Sequence, residues 1–405
     1  IQDINYFGQP NAITTDYTYD AFGNKLIESV SSAGISTRTI TKTYSANGRF
    51  LSSLKNPLNQ TTSFTYDTRW GKLKSIAGID GLITQYEFDA FGELNKVIPP
   101  APKNPINISI QFSSTPTNCV YKKTISQVGM PTTISYFDSK DRIIYQSTEG
   151  FNQTITEEKN YDTYGNLIKE KSTNANNTGF ITKDYTYDIY KRIIQASTTG
   201  IGNTTYGYGI STQPYVTITQ PNGVSKTTYF DGFGNKTKIV ENGLQNVYTF
   251  NSQDLLTKIE SDNIEIFNAT YDVYGNQITL ADKDAGSYAY EYNSLGELTK
   301  QTDPKGNITE QTFDALGRIT NKTLKEVGLS PAPVLYEYVT SGNGINNLWK
   351  ISGYNGLLTT YSYDNFGRPI TWNENFEGQN YATNLSYDLN DRIISKTFPS
   401  GFGLN

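Results

Sequence analysis

The chain has 405 residues, 36% of them hydrophobic and 13% aromatic, with 31 Tyr, 19 Phe, no His and one Cys, and a formal net charge of −5. That charge, with no long basic run, excludes nucleic acid as the main partner, because phosphate binding needs a concentrated Lys/Arg surface. The absence of His removes Ser-His-Asp catalysis and His-ligated metals, and the lone Cys119 excludes an intrachain disulfide or a thiolate zinc cluster. Cys119 reads as a small buried hydrophobe. No apolar run approaches the ~18 residues of a membrane span. No phosphate-binding glycine loop is present, so no cofactor is expected.

In chain order, the first clear element is Tyr17-Thr18-Tyr19-Asp20, followed by Gly23. Alternation places both tyrosines on one face of a strand and the Thr on the other. Asp20 is positioned to cap a turn by accepting backbone N–H groups, and Gly23 suits a residue with positive φ at the end of that turn. A return strand, "NKLIES", mixes apolar and polar residues, so one face is expected to be buried and one wet. A second kind of turn follows such strands, as in "KNPLNQ", "TQPNGV" and "TDPKGN", with Pro at its second position.

This phrase recurs along the chain. The aspartate returns at Asp67, Asp89, Asp138, Asp162, Asp188, Asp231, Asp272, Asp314, Asp364 and Asp388, with Asn251 and Asn293 as stand-ins. Weaker copies, judged by spacing, fall at Ser45, Ser113, Gly209 and Val339. The turn glycine returns at Gly92, Gly165, Gly234, Gly275, Gly296, Gly317 and Gly367, and is replaced by Asp141, Lys191 and Asp391. The period of roughly 20 to 26 residues gives about 17 units. Four prolines within 98–110 mark a longer loop.

The expected fold is therefore all-β, an antiparallel meander of about 34 strands spanning residues 1–405 as one array. Such a sheet is on the order of 160 Å long at the usual strand spacing and must curl; as a ring it is about 50 Å across. The chain opens at Ile1 and stops at Asn405 within a repeat, so it is expected to be a segment of a longer array.

The phrase stands as "YTYDAFGNKL", "YEFDAFGEL", "ATYDVYGNQI", "QTFDALGRI" and "YSYDNFGRPI". It resembles the YD repeat, or Rhs repeat, of bacterial Rhs proteins, of the B and C shell components of insecticidal toxin complexes, and of teneurins. The resemblance covers essentially the whole chain. It implies a spiralling β-sheet shell or tube around an enclosed polypeptide, often a C-terminal toxin domain. In that family self-cleavage belongs to a core with paired D-P-x-G motifs. Here one D-P-x-G occurs, at Asp303-Pro304-Lys305-Gly306, and it reads as an ordinary turn.

Two functions are weighed. One is a non-catalytic shell wall that shields a polypeptide cargo, with cargo and neighbouring shell segments as partners. The alternative is an extracellular fibre, tube or adhesin that binds glycan or a cell surface. Trp70, Trp349 and Trp372 are its candidate sugar platforms, because indole offers the largest stacking face. The resemblance implies a secreted or cell-surface, bacterial protein. No catalytic or metal-binding residue is expected.

Overall fold

The computed structural model describes residues 2–5, 12–173 and 179–404. Among these residues are 36 strands, from Gln2–Asn5 to Gly403–Leu404, and one 3-10 turn at Tyr354–Gly356. The short strands at the two ends, Gln2–Asn5 and Gly403–Leu404, account for the excess over the expected number. The chain divides into two compact units. The first comprises Ile1–Asn104, Tyr271–Leu280 and Ala285–Asn405; the second comprises Pro105–Thr270 and Ala281–Asp284.

In both units the strands form an antiparallel meander. In the first, Ile13–Tyr19 pairs with Lys25–Ser32, which pairs with Ile35–Tyr44. In the second, Tyr121–Gln127 pairs with Thr133–Phe137, which pairs with Ile143–Gly150. Tyr, Thr, Ile and Val dominate these strands because branched and aromatic side chains pack well on a pleated surface. Among the described residues no helix lies across either face. The accessible surface is 24265 Å², where a compact chain of this mass has roughly 15,800 Å² by size scaling. Among the described apolar residues only Cys119 and Ala269 are buried. The return strands were expected to bury one face; with no second layer, that face is only half-buried.

The two faces differ in chemistry. One carries the aromatic rings. Tyr17 and Tyr19 have centroids 6.3 Å apart, Phe50 stacks on Tyr66 at 4.7 Å, and Tyr121 stacks on Phe137 at 4.7 Å. The other carries hydroxyl pairs across the strands, Thr43 to Ser53 at 2.7 Å, Thr65 to Ser75 at 2.6 Å and Ser386 to Ser395 at 2.6 Å. Ion pairs continue this face: Glu291 meets Lys300 and Glu337 meets Lys350, each at 2.7 Å. Exposed pairs of this kind contribute little singly. Their value lies in matching each strand to the next, since a slip of one residue would set carboxylates among the rings.

A bulge sits beside the turn in hairpin after hairpin. Thr18 faces Ile27 but Tyr19 faces Lys25, which leaves Leu26 over. Ile144 and Ile370 are left over in the same way. An unpaired residue bends and twists its strand, and repetition at one position gives these hairpins the same bend.

The turn glycines hold positive φ, +84° at Gly23, +91° at Gly234 and +73° at Gly367, and Asp141, Lys191 and Asp391 hold φ of 58°, 63° and 65°. A Cβ built on Gly234 meets nothing within 4 Å, so a substitution there tests backbone conformation alone. Gly234→Ala is expected to lower unfolding stability by about 1 kcal/mol, and Gly234→Asn by roughly half of that. Urea unfolding measures both.

Candidate functional site

Each Asp turn is a closed hydrogen-bonded ring. In the first, Gly23 N donates to Asp20 O at 3.2 Å and Asp20 N to Asn24 O at 3.0 Å. The Asp20 carboxylate accepts from Phe22 N and Asn24 N, both at 2.9 Å, through one oxygen, and from the Asn24 amide at 3.0 Å through the other. Where Arg follows the glycine position, the second oxygen takes a guanidinium. Arg142 Nε and Nη2 donate to Asp138 at 2.8 and 2.6 Å, and Arg368 Nε and Nη2 approach Asp364 at 2.7 and 2.6 Å. Burial pushes the Asp138 carboxyl up, but Arg142 and the N–H groups of Arg142 and Lys140 outweigh it, and its pKa is lowered. Asp67, held by the Arg69 side chain and then by its N–H, is lowered to about 2.

A clip joins four such turns to the next hairpin. Arg142 lies over the Tyr161 ring at 4.3 Å, Arg192 over Tyr208 at 4.2 Å, Arg318 over Tyr338 at 4.0 Å and Arg368 over Tyr387 at 4.6 Å. The hydroxyl of the same tyrosine donates to the first carbonyl of the preceding return strand. Tyr161 reaches Ile143 O at 3.1 Å, Tyr208 reaches Ile193 O at 2.9 Å, Tyr338 reaches Ile319 O at 2.8 Å and Tyr387 reaches Pro369 O at 2.8 Å. Tyr363 makes the same bond to Leu348 O. That carbonyl needs a partner because the ladder to the next strand starts two residues later, at Asn321 in one case and Thr371 in another. Burial pushes the Tyr338, Tyr363 and Tyr387 hydroxyls up, so they stay protonated donors. Phe at this position, as in Phe313, gives the ring without the bond.

The Asp turns line one rim of the sheet and the other turns line the opposite rim, here called the return rim. In the first unit the two kinds of rim meet. Ser32 Oγ donates to Ser294 Oγ at 2.7 Å, and Arg38 Nη2 donates to Glu297 at 2.7 Å and to Asp314 O at 3.1 Å. Gln60 and Asn346 exchange amide hydrogen bonds of 2.9 and 2.7 Å. Lys103 Nζ donates to Asp391 at 2.8 Å and lies 4.6 Å from the Phe366 ring centre. The partners are 259 to 288 residues apart in sequence.

The expected sugar platforms do not converge. Trp70 covers the next turn, where a Cβ on Gly92 would lie 2.7 Å from the indole. Trp349 is the leftover residue of its bulge and lines an open groove of about 690 Å³ with Arg318, Tyr336, Tyr338 and Tyr361. Trp372 faces Tyr361 across the strands, with Lys396 Nζ 5.5 Å from its ring. Among the described residues no group of three or more acidic or Cys side chains is placed to hold a metal. No helix among them is long and apolar enough to cross a membrane.

Spacing also misplaces one repeat. Gly209, aligned with the aspartates, lies inside strand Gly202–Ile210, and the turn follows with Ser211 N donating to Gln213 O at 3.1 Å. Its predecessor Tyr208 nevertheless keeps the clip. The clip and the rim junction are not visible from spacing. The signals for the clip were the Arg after the turn and the preference for Tyr over Phe; the junction has none, since its partners lie far apart.

Comparison with known proteins agrees with this geometry. The family described as RHS Repeat matches residues 292–325. The "tRNA3(Ser)-specific nuclease WapA" of Bacillus spizizenii is 25% identical over 177 residues, 40% of this chain and 6% of that protein. Among solved structures, a TcdB2-TccC3-Cdc42 complex covers 98% of this chain and 30% of its own, with a TM-score of 0.60 and 10% identity. A Tc holotoxin pore of Photorhabdus luminescens also has a TM-score of 0.60, at 13% identity, over 98% of this chain and 22% of its own. The chain thus spans a third or less of each of these relatives. Repeat, hairpin and sheet together define an all-β repeat protein. Residues 292–325 match the RHS Repeat family, and the likeness to the solved structures is one of fold.

Two outcomes follow. Tyr187 Oη donates to Leu167 O at 2.6 Å, so Tyr187→Phe is expected to lower stability by about 1 kcal/mol in urea unfolding. The capping aspartates Asp67 and Asp138 have folded pKa values below their unfolded ones. The unfolded chain therefore binds protons first. Their contribution is complete above the unfolded value of ~3.9 and is lost as pH falls through the folded values, about 2 for Asp67. A thermal midpoint that drops between about pH 4 and 2, and drops less for Asp138→Asn, checks this sign.

Proposed function

We propose that this chain is a stretch of shell wall that encloses and shields a polypeptide cargo, such as a C-terminal toxin domain, in a secreted or cell-surface bacterial protein. The rim junction of the first unit carries the reading. Strands near residue 38 and strands near residue 297 abut through a side-chain ion pair, which is how a sheet one layer thick makes a wall without an edge-to-edge strand pairing. The likeness to structures that hold TcdB2 and TccC3 supports the same reading at the level of fold.

The segment acts sterically and not as a catalyst. A general acid or base needs a pKa shifted toward neutrality. The aspartates with resolved shifts move the other way, and each spends both oxygens within its own turn, as Asp138 and Asp314 do. The nuclease activity in the name of the Bacillus relative need not reside in the 6% of that protein matched here. The array from 1 to 405 is read as one continuous wall segment with its Asp and Gly residues as turn formers.

The test is protease protection. The chain is produced with the sequence that its gene places on either side and treated with trypsin, alone and with Arg38→Glu. A flanking polypeptide that survives in the parent and is cut in the variant supports enclosure. Cleavage in the parent at the rate of the free polypeptide overturns it.

A further inference from the structure

In the first unit a longer loop stands where the repeat would place an Asp turn. Asp20 N donates to Asn24 O, but Val339 N donates to Asn347 O, at 2.8 Å, so the closing bond spans eight positions instead of four. Within the loop Asn346 N donates to Val339 O and Asn347 N to Gly344 O, both at 2.8 Å. Neighbours hold it in place. Gly344, at φ +73°, lies against the Tyr363 ring with no room for a Cβ, and Asn343 Nδ2 donates to Asn365 Oδ1 at 2.9 Å. Asn346 exchanges its amide hydrogen bonds with Gln60. The loop therefore lies inside the rim junction, and its setting does not depend on either end of the chain.

The loop forms one side of the open groove of about 690 Å³ beside Trp349, a volume in the ~300–1,000 Å³ range of small-ligand sites. The indole is 38% exposed there, with the rings of Tyr336 and Tyr361. Thr340 and Ser341 line the groove from the loop and are exposed. The hydroxyls of these two residues and of Tyr336 and Tyr361 have no protein partner among the described residues. The charges nearby are spent. Arg318 donates to Asp314 at 2.7 Å and to Asn346 O at 3.0 Å, and Glu337 pairs at 2.7 Å with Lys350, whose Nζ is 5.5 Å from the indole centre. Strand Leu348–Ser352 is paired on both sides, so an extended peptide has no edge to join here.

We propose that this groove binds an uncharged oligosaccharide of about two to four gluco-configured rings. Trp349 is the stacking platform, and the Thr340, Ser341, Tyr336 and Tyr361 hydroxyls meet those of the sugar. A pyranose ring with every substituent equatorial presents two faces of C–H groups and a belt of hydroxyls. It needs a flat aromatic surface, neutral hydrogen-bonding groups at its edge and no counter-charge, and the groove supplies each. The site does not rest on cargo enclosure, because a wall that encloses nothing carries the same groove.

Calorimetric titration of the 405-residue protein with cellotetraose tests this, with the β-1,4-galactose tetramer and decaproline as competing probes. Cellotetraose is expected to bind with a Kd of about 0.1 to 5 mM, and the galactose tetramer, with an axial hydroxyl on each ring, at least ~5-fold more weakly. Trp349→Ala is expected to weaken cellotetraose binding at least ~10-fold, and Trp70→Ala to leave it unchanged. Thr340→Ala with Ser341→Ala changes only exposed loop hydroxyls and is expected to weaken it ~3-fold or more. This pair decides the matter if circular dichroism shows that Trp349→Ala does not fold. No cellotetraose binding up to about 10 mM overturns the proposal. So does affinity unchanged by Trp349→Ala or by the loop pair, equal affinity for the galactose tetramer, or a preference for decaproline.

Discussion

A sheet one layer thick has no opposing layer on which to bury a face. Its stability must come from within the plane of the sheet, from each hairpin's hold on the next. In ordinary domains burial of an apolar face is the dominant favourable term, but here most rings are half-buried. The Asp–Arg–Tyr clip answers that constraint. Asp138 fixes its turn and orients Arg142, Arg142 lies on Tyr161, and Tyr161 supplies the hydrogen bond that Ile143 O lacks. One hairpin's turn thereby becomes part of the next hairpin's packing. Stability then resembles that of a repeat array, a sum of unit terms and nearest-neighbour terms.

The bulge and the clip depend on each other. Leaving a residue such as Ile144 unpaired delays the ladder to the next strand, and that delay frees the carbonyl that the tyrosine hydroxyl reaches. The same bulge bends hairpin after hairpin beside its turn. A repeated bend brings distant strands of the first unit together, so that Arg38 meets Glu297. A local rule in five residues of turn sequence thus has a consequence more than two hundred residues away.

Much of this was legible in the sequence. The alternation in Tyr17-Thr18-Tyr19 announced strands, and Asp20 with Gly23 announced a turn with a left-handed end, because few residue types adopt that conformation. Gly209 shows where spacing misleads: a copy without the Asp shifted its turn while its Tyr kept its role. The burial of the return strands was overestimated, because alternation predicts which side chains share a face and not whether anything covers it. The meeting of Gln60 with Asn346 was beyond reach. It depends on a small bend summed over many hairpins, and no pattern in either residue's neighbourhood encodes the sum.

The clip couples neighbouring hairpins, and a double-mutant cycle on Arg318 and Tyr338 reads that coupling. The unfolding stability of Arg318→Ala, of Tyr338→Phe, of Tyr338→Leu and of the combinations separates the hydroxyl from the ring. A coupling of about 1 kcal/mol between Arg318 and the Tyr338 ring is expected. Effects that add to within ~0.3 kcal/mol would contradict it, since Arg318 and Tyr338 would then be neighbours without mutual support.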